Sequence, residues 1–129
     1  MVEDCRTCSG TPAGDWAGDW RSLTLFWGLP FAAMLAGWLL VDPGPRTALW
    51  GALLVWMGGA CIVNARRCGR THCRFTGPYF LVMAALVAAY GTGALPIGPS
   101  GWAILVGVTL IGNAVLWWGS ERLLGRLVR

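Results

Sequence analysis

The stretch Ala48-Leu49-Trp50-Gly51-Ala52-Leu53-Leu54-Val55-Trp56-Met57-Gly58-Gly59-Ala60-Cys61-Ile62-Val63-Asn64-Ala65 carries no formal charge and stops at Arg66-Arg67-Cys68. A helix needs about 20 apolar residues to cross the hydrocarbon core of a bilayer. Inside lipid the backbone must satisfy its own hydrogen bonds, which leaves a helix as the form for so long a run. Working outward, three further uncharged runs qualify: Leu23 to Val41, Pro78 to Leu95 and Trp102 to Trp118. Turn chemistry separates the runs at Asp42-Pro43-Gly44-Pro45, Thr76-Gly77-Pro78 and Pro96-Ile97-Gly98-Pro99-Ser100-Gly101. The expected fold is all-α, a four-transmembrane-helix bundle of two helical hairpins with spans at about 23–41, 48–65, 78–95 and 102–118. It divides the chain into an N-terminal segment (1–22), a transmembrane domain (23–119) and a basic tail (120–129).

Composition points the same way. Of 129 residues, 56% are hydrophobic and 12% charged, with a mean hydropathy of +0.57. A soluble domain carries about 25% charged residues, so this chain lacks the polar surface to wrap a water-facing globule. About twenty polar residues precede the first apolar run, and no small-residue cleavage motif follows it, which argues against a signal peptide. The net charge of +4 comes from arginine alone, since the chain has no lysine. No basic face with interleaved aromatics is visible, so the expected partner is the lipid bilayer and not nucleic acid.

The arginines also set an orientation. The first and third interhelical turns share one side, which holds only Arg46. The other side holds Arg6, Arg21, Arg66, Arg67, Arg70, Arg74, Arg122, Arg126 and Arg129. Short arginine-rich loops stay in the cytoplasm, which predicts both termini inside and a multi-pass protein of the cell (inner or plasma) membrane. Trp50, Trp102, Trp117 and Trp118 stand near span ends, where indoles favour the headgroup level. Pro30 should kink the first helix, because it removes a helix hydrogen bond. Gly51, Gly58, Gly59, Gly107 and Gly112 offer positions for close helix approach. Asn64 and Asn113 are expected to hydrogen-bond between helices.

The chemistry-bearing residues are five cysteines and one histidine. Cys5 and Cys8 form a C-x-x-C pair. Cys68, His72 and Cys73 fall in a middle loop, and Cys61 sits near the end of the second span. The assigned orientation gathers all of them at the reducing face, where free thiols or metal ligands are favoured over disulfides. Thiolates with an imidazole suit a soft ion such as Hg(II), Cu(I) or Zn(II), and the surrounding arginines favour the thiolate. Cys5, Cys8, Cys68, Cys73, His72 and Cys61 are therefore the candidate metal ligands, with no catalytic residue and no organic cofactor assigned. No acid neighbours His72 in sequence and no carboxylate lies within a span, which argues against a Ser-His-Asp set and a proton-driven carrier. Glu121 to Arg129 reads as a helix extension with Leu123, Leu124, Leu127 and Val128 toward lipid and its arginines toward headgroups.

Short length, few helices, inward-facing cysteine pairs and an intramembrane cysteine resemble the small mercury-uptake proteins of bacterial mercury-resistance systems. The resemblance rests on architecture and cysteine inventory. It implies transfer of Hg(II) between membrane and cytoplasmic cysteines, although Leu23 to Val41 here contains no cysteine. Two other readings fit the same residues. Cys5, Cys8, Cys68 and Cys73 would bind a structural zinc in a subunit of a membrane complex, or the pairs would serve a four-helix thiol–disulfide oxidoreductase. A membrane or cytoplasmic protein partner and a homo-oligomer are compatible with each of the three.

Overall fold

The computed structural model describes Trp16 and residues 19–125. Cys5, Cys8, Arg126 and Arg129 therefore lie outside the described residues. Four helices follow one another: α1 (Trp20–Leu40), α2 (Pro43–Cys68), α3 (Thr71–Gly91) and α4 (Gly101–Leu124). Each is long and apolar enough to cross a membrane, with mean hydropathy between 1.3 and 1.7. Large apolar side chains such as Leu39, Leu40, Ile111 and Val115 point outward. A surface of that kind belongs in lipid, and the chain is a multi-pass membrane protein.

Neighbours in sequence pack as neighbours in space, with the α2–α3 hairpin the most extensive contact. Its two helices meet through glycine. A Cβ on Gly58 would lie 3.0 Å from the Gly77 carbonyl oxygen. A Cβ on Gly77 would lie 2.8 Å from Ile62 Cγ1 and 3.3 Å from Cys61 Cβ. Helices in lipid gain little from hydrophobic burial, so backbone proximity of this kind is what holds the pair. Of the other glycines expected at contacts, Gly51, Gly59 and Gly107 face open space, while Gly112 accommodates the Tyr79 ring.

The linker between these helices is short. Gly69 adopts φ 64° and caps α2 through a bond from its N–H to Ala65 O, and Arg70 then turns extended before α3 begins. The middle loop expected from the sequence is thus mostly helix. Thr76-Gly77-Pro78 is not a turn, and Pro78 lies inside α3. The reason is packing: His72, Cys73, Thr76, Gly77 and Phe80 recur at helical spacing, and all are buried on one face. That burial outweighs the turn propensity of Gly-Pro.

At Pro30 the first helix does not stop. A π-helical segment, Thr24–Gly28, precedes it and absorbs the irregularity, carrying the buried Trp27 inward. Asp19 caps the helix start by accepting from Ser22 N at 3.2 Å and Ser22 Oγ at 3.0 Å. Trp16 returns against this region, stacked on Phe26 with centroids 4.5 Å apart.

Most of the tryptophans near the span ends turn into the bundle. Trp50 and Trp102 are buried and meet edge to face at 5.6 Å. Trp50 Nε1 donates to Met34 O at 2.9 Å, which ties α2 to α1. Trp117 stacks on His72, and of the four only Trp118 is exposed. Arg46 folds back to donate to Val41 O and lies 5.1 Å over Trp102.

Replacing Gly77 by alanine inserts a methyl group into the α2–α3 crossing and should destabilise the protein by about 1–3 kcal/mol. Gly59→Ala, which meets nothing within 4 Å, should leave the melting temperature in detergent unchanged. Equal melting temperatures for the two variants would show that the crossing tolerates separation.

Candidate functional site

One turn from the Gly58–Gly77 crossing toward the hairpin linker, each helix presents a thiol. Cys61 follows Gly58 by one turn on α2, and Cys73 precedes Gly77 by one turn on α3. The helices run antiparallel, so both steps lead the same way. The two thiols are neighbours across the crossing, and both are free and fully buried.

Polar groups from every helix close around them. From α1, Trp27 Nε1 donates to Cys61 Sγ at 3.2 Å. From α2, Asn64 Nδ2 donates to Cys73 Sγ at 3.6 Å, within range for a sulfur acceptor, while Asn64 Oδ1 accepts from Trp16 N at 3.1 Å. From α3, His72 Nε2 lies 3.2 Å from Cys73 Sγ. From α4, Glu121 Oε1 lies 2.8 Å from His72 Nδ1 and 2.9 Å from Arg70 Nε. Trp117 lies parallel to the His72 ring at 3.9 Å and fixes its plane. Asn113, by contrast, is half-buried and makes no side-chain hydrogen bond among the described residues.

Glu121 decides what the histidine can do. A carboxylate at Nδ1 holds the proton on that nitrogen and leaves Nε2 as the acceptor facing Cys73. The Cys73 proton then has a receiving nitrogen, and the imidazolium that forms is steadied by Glu121. This is the base-and-orienter arrangement used to activate nucleophilic thiols. It corrects one expectation: His72 does have a nearby acid, because Glu121 of α4 reaches back to it and to Arg70. Among the candidate ligands, Cys61, Cys73 and His72 converge. Cys68 is the last residue of α2, and its side chain is outside the described set, as are Cys5 and Cys8.

Among the described residues no group of three or more His, Cys, Asp and Glu side chains is arranged to hold a metal ion. What is assembled is a pair of adjacent thiols with an imidazole on one of them. Two hydroxyls nearby in sequence, Thr71 and Thr76, are buried without a hydrogen-bond partner. Thr109 bonds back to the carbonyl four residues earlier, whereas Thr76 does not.

Sequence reading missed Glu121, Trp27 and Trp117. One signal was present for Glu121. It is the only acid after Asp42, and it stands at the end of a span on the side where arginines crowd.

Glu121→Ala removes the carboxylate from both His72 and Arg70 and should cost roughly 2 kcal/mol, the range for hydrogen bonds to charged groups. Glu121→Gln keeps an acceptor at the same reach and should cost less. It should nevertheless slow alkylation of Cys73 by neutral iodoacetamide, followed by peptide mass. Alkylation at the parental rate in both variants would remove Glu121 from the site.

No protein-family model matches the chain, and neither a curated protein nor a solved structure matches it.

Proposed function

We propose that this protein carries a soft metal ion as cargo on the Cys61–Cys73 pair. The observation that supports this most is the direct meeting of two free, buried thiols, with a proton acceptor on one of them. Soft d10 ions such as Hg(II) and Cu(I) are satisfied by two thiolates, whereas Zn(II) asks for four ligands. Two thiolates are thus a complete ligand set for such a cargo. Binding releases the thiol protons, and His72 is placed to accept the one from Cys73.

The arginine-rich end, with Arg66, Arg67, Arg70 and Arg74, is assigned to the cytoplasm by the charge asymmetry of the loops. On that assignment the pair lies just inside the inner boundary of the bilayer, and Cys5, Cys8 and Cys68 belong to segments on that same side. Those three thiols would then serve as delivery points for an ion leaving the pair, which fits the likeness to mercury-uptake proteins. A second reading, thiol–disulfide exchange, draws on the same adjacency of Cys61 and Cys73 and requires an external electron acceptor.

Titration of the full chain in detergent with Hg(II) or Cu(I) tests the proposal. The Cys61→Ala/Cys73→Ser variant should bind about one ion fewer per chain. Cys61→Ala by itself removes little volume and should cost roughly 1 kcal/mol of stability while abolishing ion transfer in vesicles. An unchanged stoichiometry in the double variant would sink the assignment. A Zn(II) stoichiometry that falls only with Cys5→Ser/Cys8→Ser would support the structural-zinc reading instead. For the orientation, reporter fusions at Gly44 and Gly98 should read outside and one at Arg129 inside. An external Arg129 would reverse it.

A further inference from the structure

Cys73, itself buried, is among the residues lining an open groove of about 500 Å³ between the end of α2 and the start of α3. Ile62, Arg66 and Gly69 line the groove on one side, with Arg74 and Pro78 beside Cys73 on the other. Gly69 leaves the mouth open because it contributes no side chain.

The charges at its rim are of one sign. Arg66 and Arg74 are both exposed, and neither makes an ion pair among the described residues. The neighbouring arginines are occupied: Arg70 pairs with Glu121, and Arg67 lies 4.9 Å over the Trp16 ring. Glu121 itself is turned to the far side, against His72. The groove thus has two arginines and a cysteine among its lining residues, and no described carboxylate.

We propose that this groove is a port for an anionic low-molecular-weight thiol, exchanging the soft ion as a carboxylate-bearing thiolate complex. This inference rests on the metal-cargo reading and names the form in which the cargo arrives or leaves. Soft ions in a reducing compartment are held by thiols and not by water. A complex RS–M–SR whose R groups carry carboxylates is an anion, and two arginines suit carboxylates by charge and by fork geometry. The step is a ligand exchange. The Cys73 sulfur forms a bond to the metal while one M–SR bond breaks. The Cys73 proton passes to His72 and then to the leaving thiolate, which departs as RSH. A second exchange at Cys61 releases the other RSH and leaves the ion between the two cysteines. No oxidation state changes, and each reverse step returns the ion to the carrier.

The test separates the port from the cargo. The full chain in neutral detergent is treated with an anionic methanethiosulfonate (sulfonatoethyl) and with a cationic one (trimethylammonioethyl), and modification of Cys73 is followed by peptide mass. The anionic reagent should react about tenfold faster, and raised ionic strength should shrink the difference. Arg66→Gln/Arg74→Gln changes exposed positions only and should bring the two rates together. Equal rates in the parental chain, or a ratio unchanged in the double variant, would overturn the port. A parallel arm offers Hg(II) as its bis-glutathione complex or as its cationic bis-cysteamine complex, and transfer should favour the glutathione form. Transfer from neither, with the charge ratio intact, would sink the metal-cargo reading and the metal part of this inference. An anion-selective route to a thiol would then be what stands.

Discussion

The close approach of two backbones at Gly58 and Gly77 is the constraint on which the rest of the molecule depends. Lipid is as apolar as the side chains it surrounds, so helices in it are held by close packing and by polar contacts. At this crossing a methyl group on either glycine would press on the opposite helix. Because α2 and α3 run antiparallel, a single turn from the crossing on each brings Cys61 to Cys73. The thiol pair is thus a geometric consequence of where the glycines stand. A wider crossing would leave two isolated cysteines, each a small apolar side chain with nothing to do.

The polar cluster extends that logic to the other helices. A buried polar group in a membrane protein is costly unless paired. Here the pairing runs in series from Trp27 through Cys61, Cys73, His72 and Glu121 to Arg70, so that α1, α2, α3 and α4 all contribute to one chain of contacts. Asn64 extends it toward Trp16. The interaction that makes Cys73 chemically competent therefore also docks α4 against the hairpin. Structure and reactivity are coupled at Glu121, where loss of the carboxylate loosens a helix contact and misplaces a proton together.

The spans were legible in the sequence because length and absence of charge are strong signals in lipid. Their ends were less so. Pro78 and Gly77 read as a turn by local preference, while in the fold the glycine serves the crossing and the proline is carried inside a helix. The buried face of α3 was written at helical spacing from His72 to Phe80, but the two charged residues Arg70 and Arg74 masked it. Convergence of Cys61, Cys73 and His72 at one end was readable from topology. The partner acid was not, since Glu121 lies 49 residues from His72, and only the packing of α4 back against α3 joins them. Trp27 was hidden for a different reason. Its inward aim follows from the π segment before Pro30, a local change of helical phase that periodicity counting does not anticipate.

The two ends of the bundle show how few charges it takes to give such a protein polarity. One end has a single arginine, folded back on Val41 O and stacked over Trp102, so its charge is spent locally. At the other end Arg70 is held by Glu121 and Arg67 covers Trp16, while Arg66 and Arg74 stay at the surface beside the thiol. Internal pairing thus removes some arginines from solution and leaves others free to act outward. The arginines whose asymmetry predicts the orientation include the two that, on the proposed port, would set the charge of what approaches Cys73. On that proposal a basic rim beside a buried soft nucleophile would select against free cations, which would be repelled before reaching the sulfur. A soft cation reaching this site from the arginine-rich side would have to arrive already wrapped in negative ligands. That requirement follows from charge placement alone, before any affinity of sulfur for metal is considered.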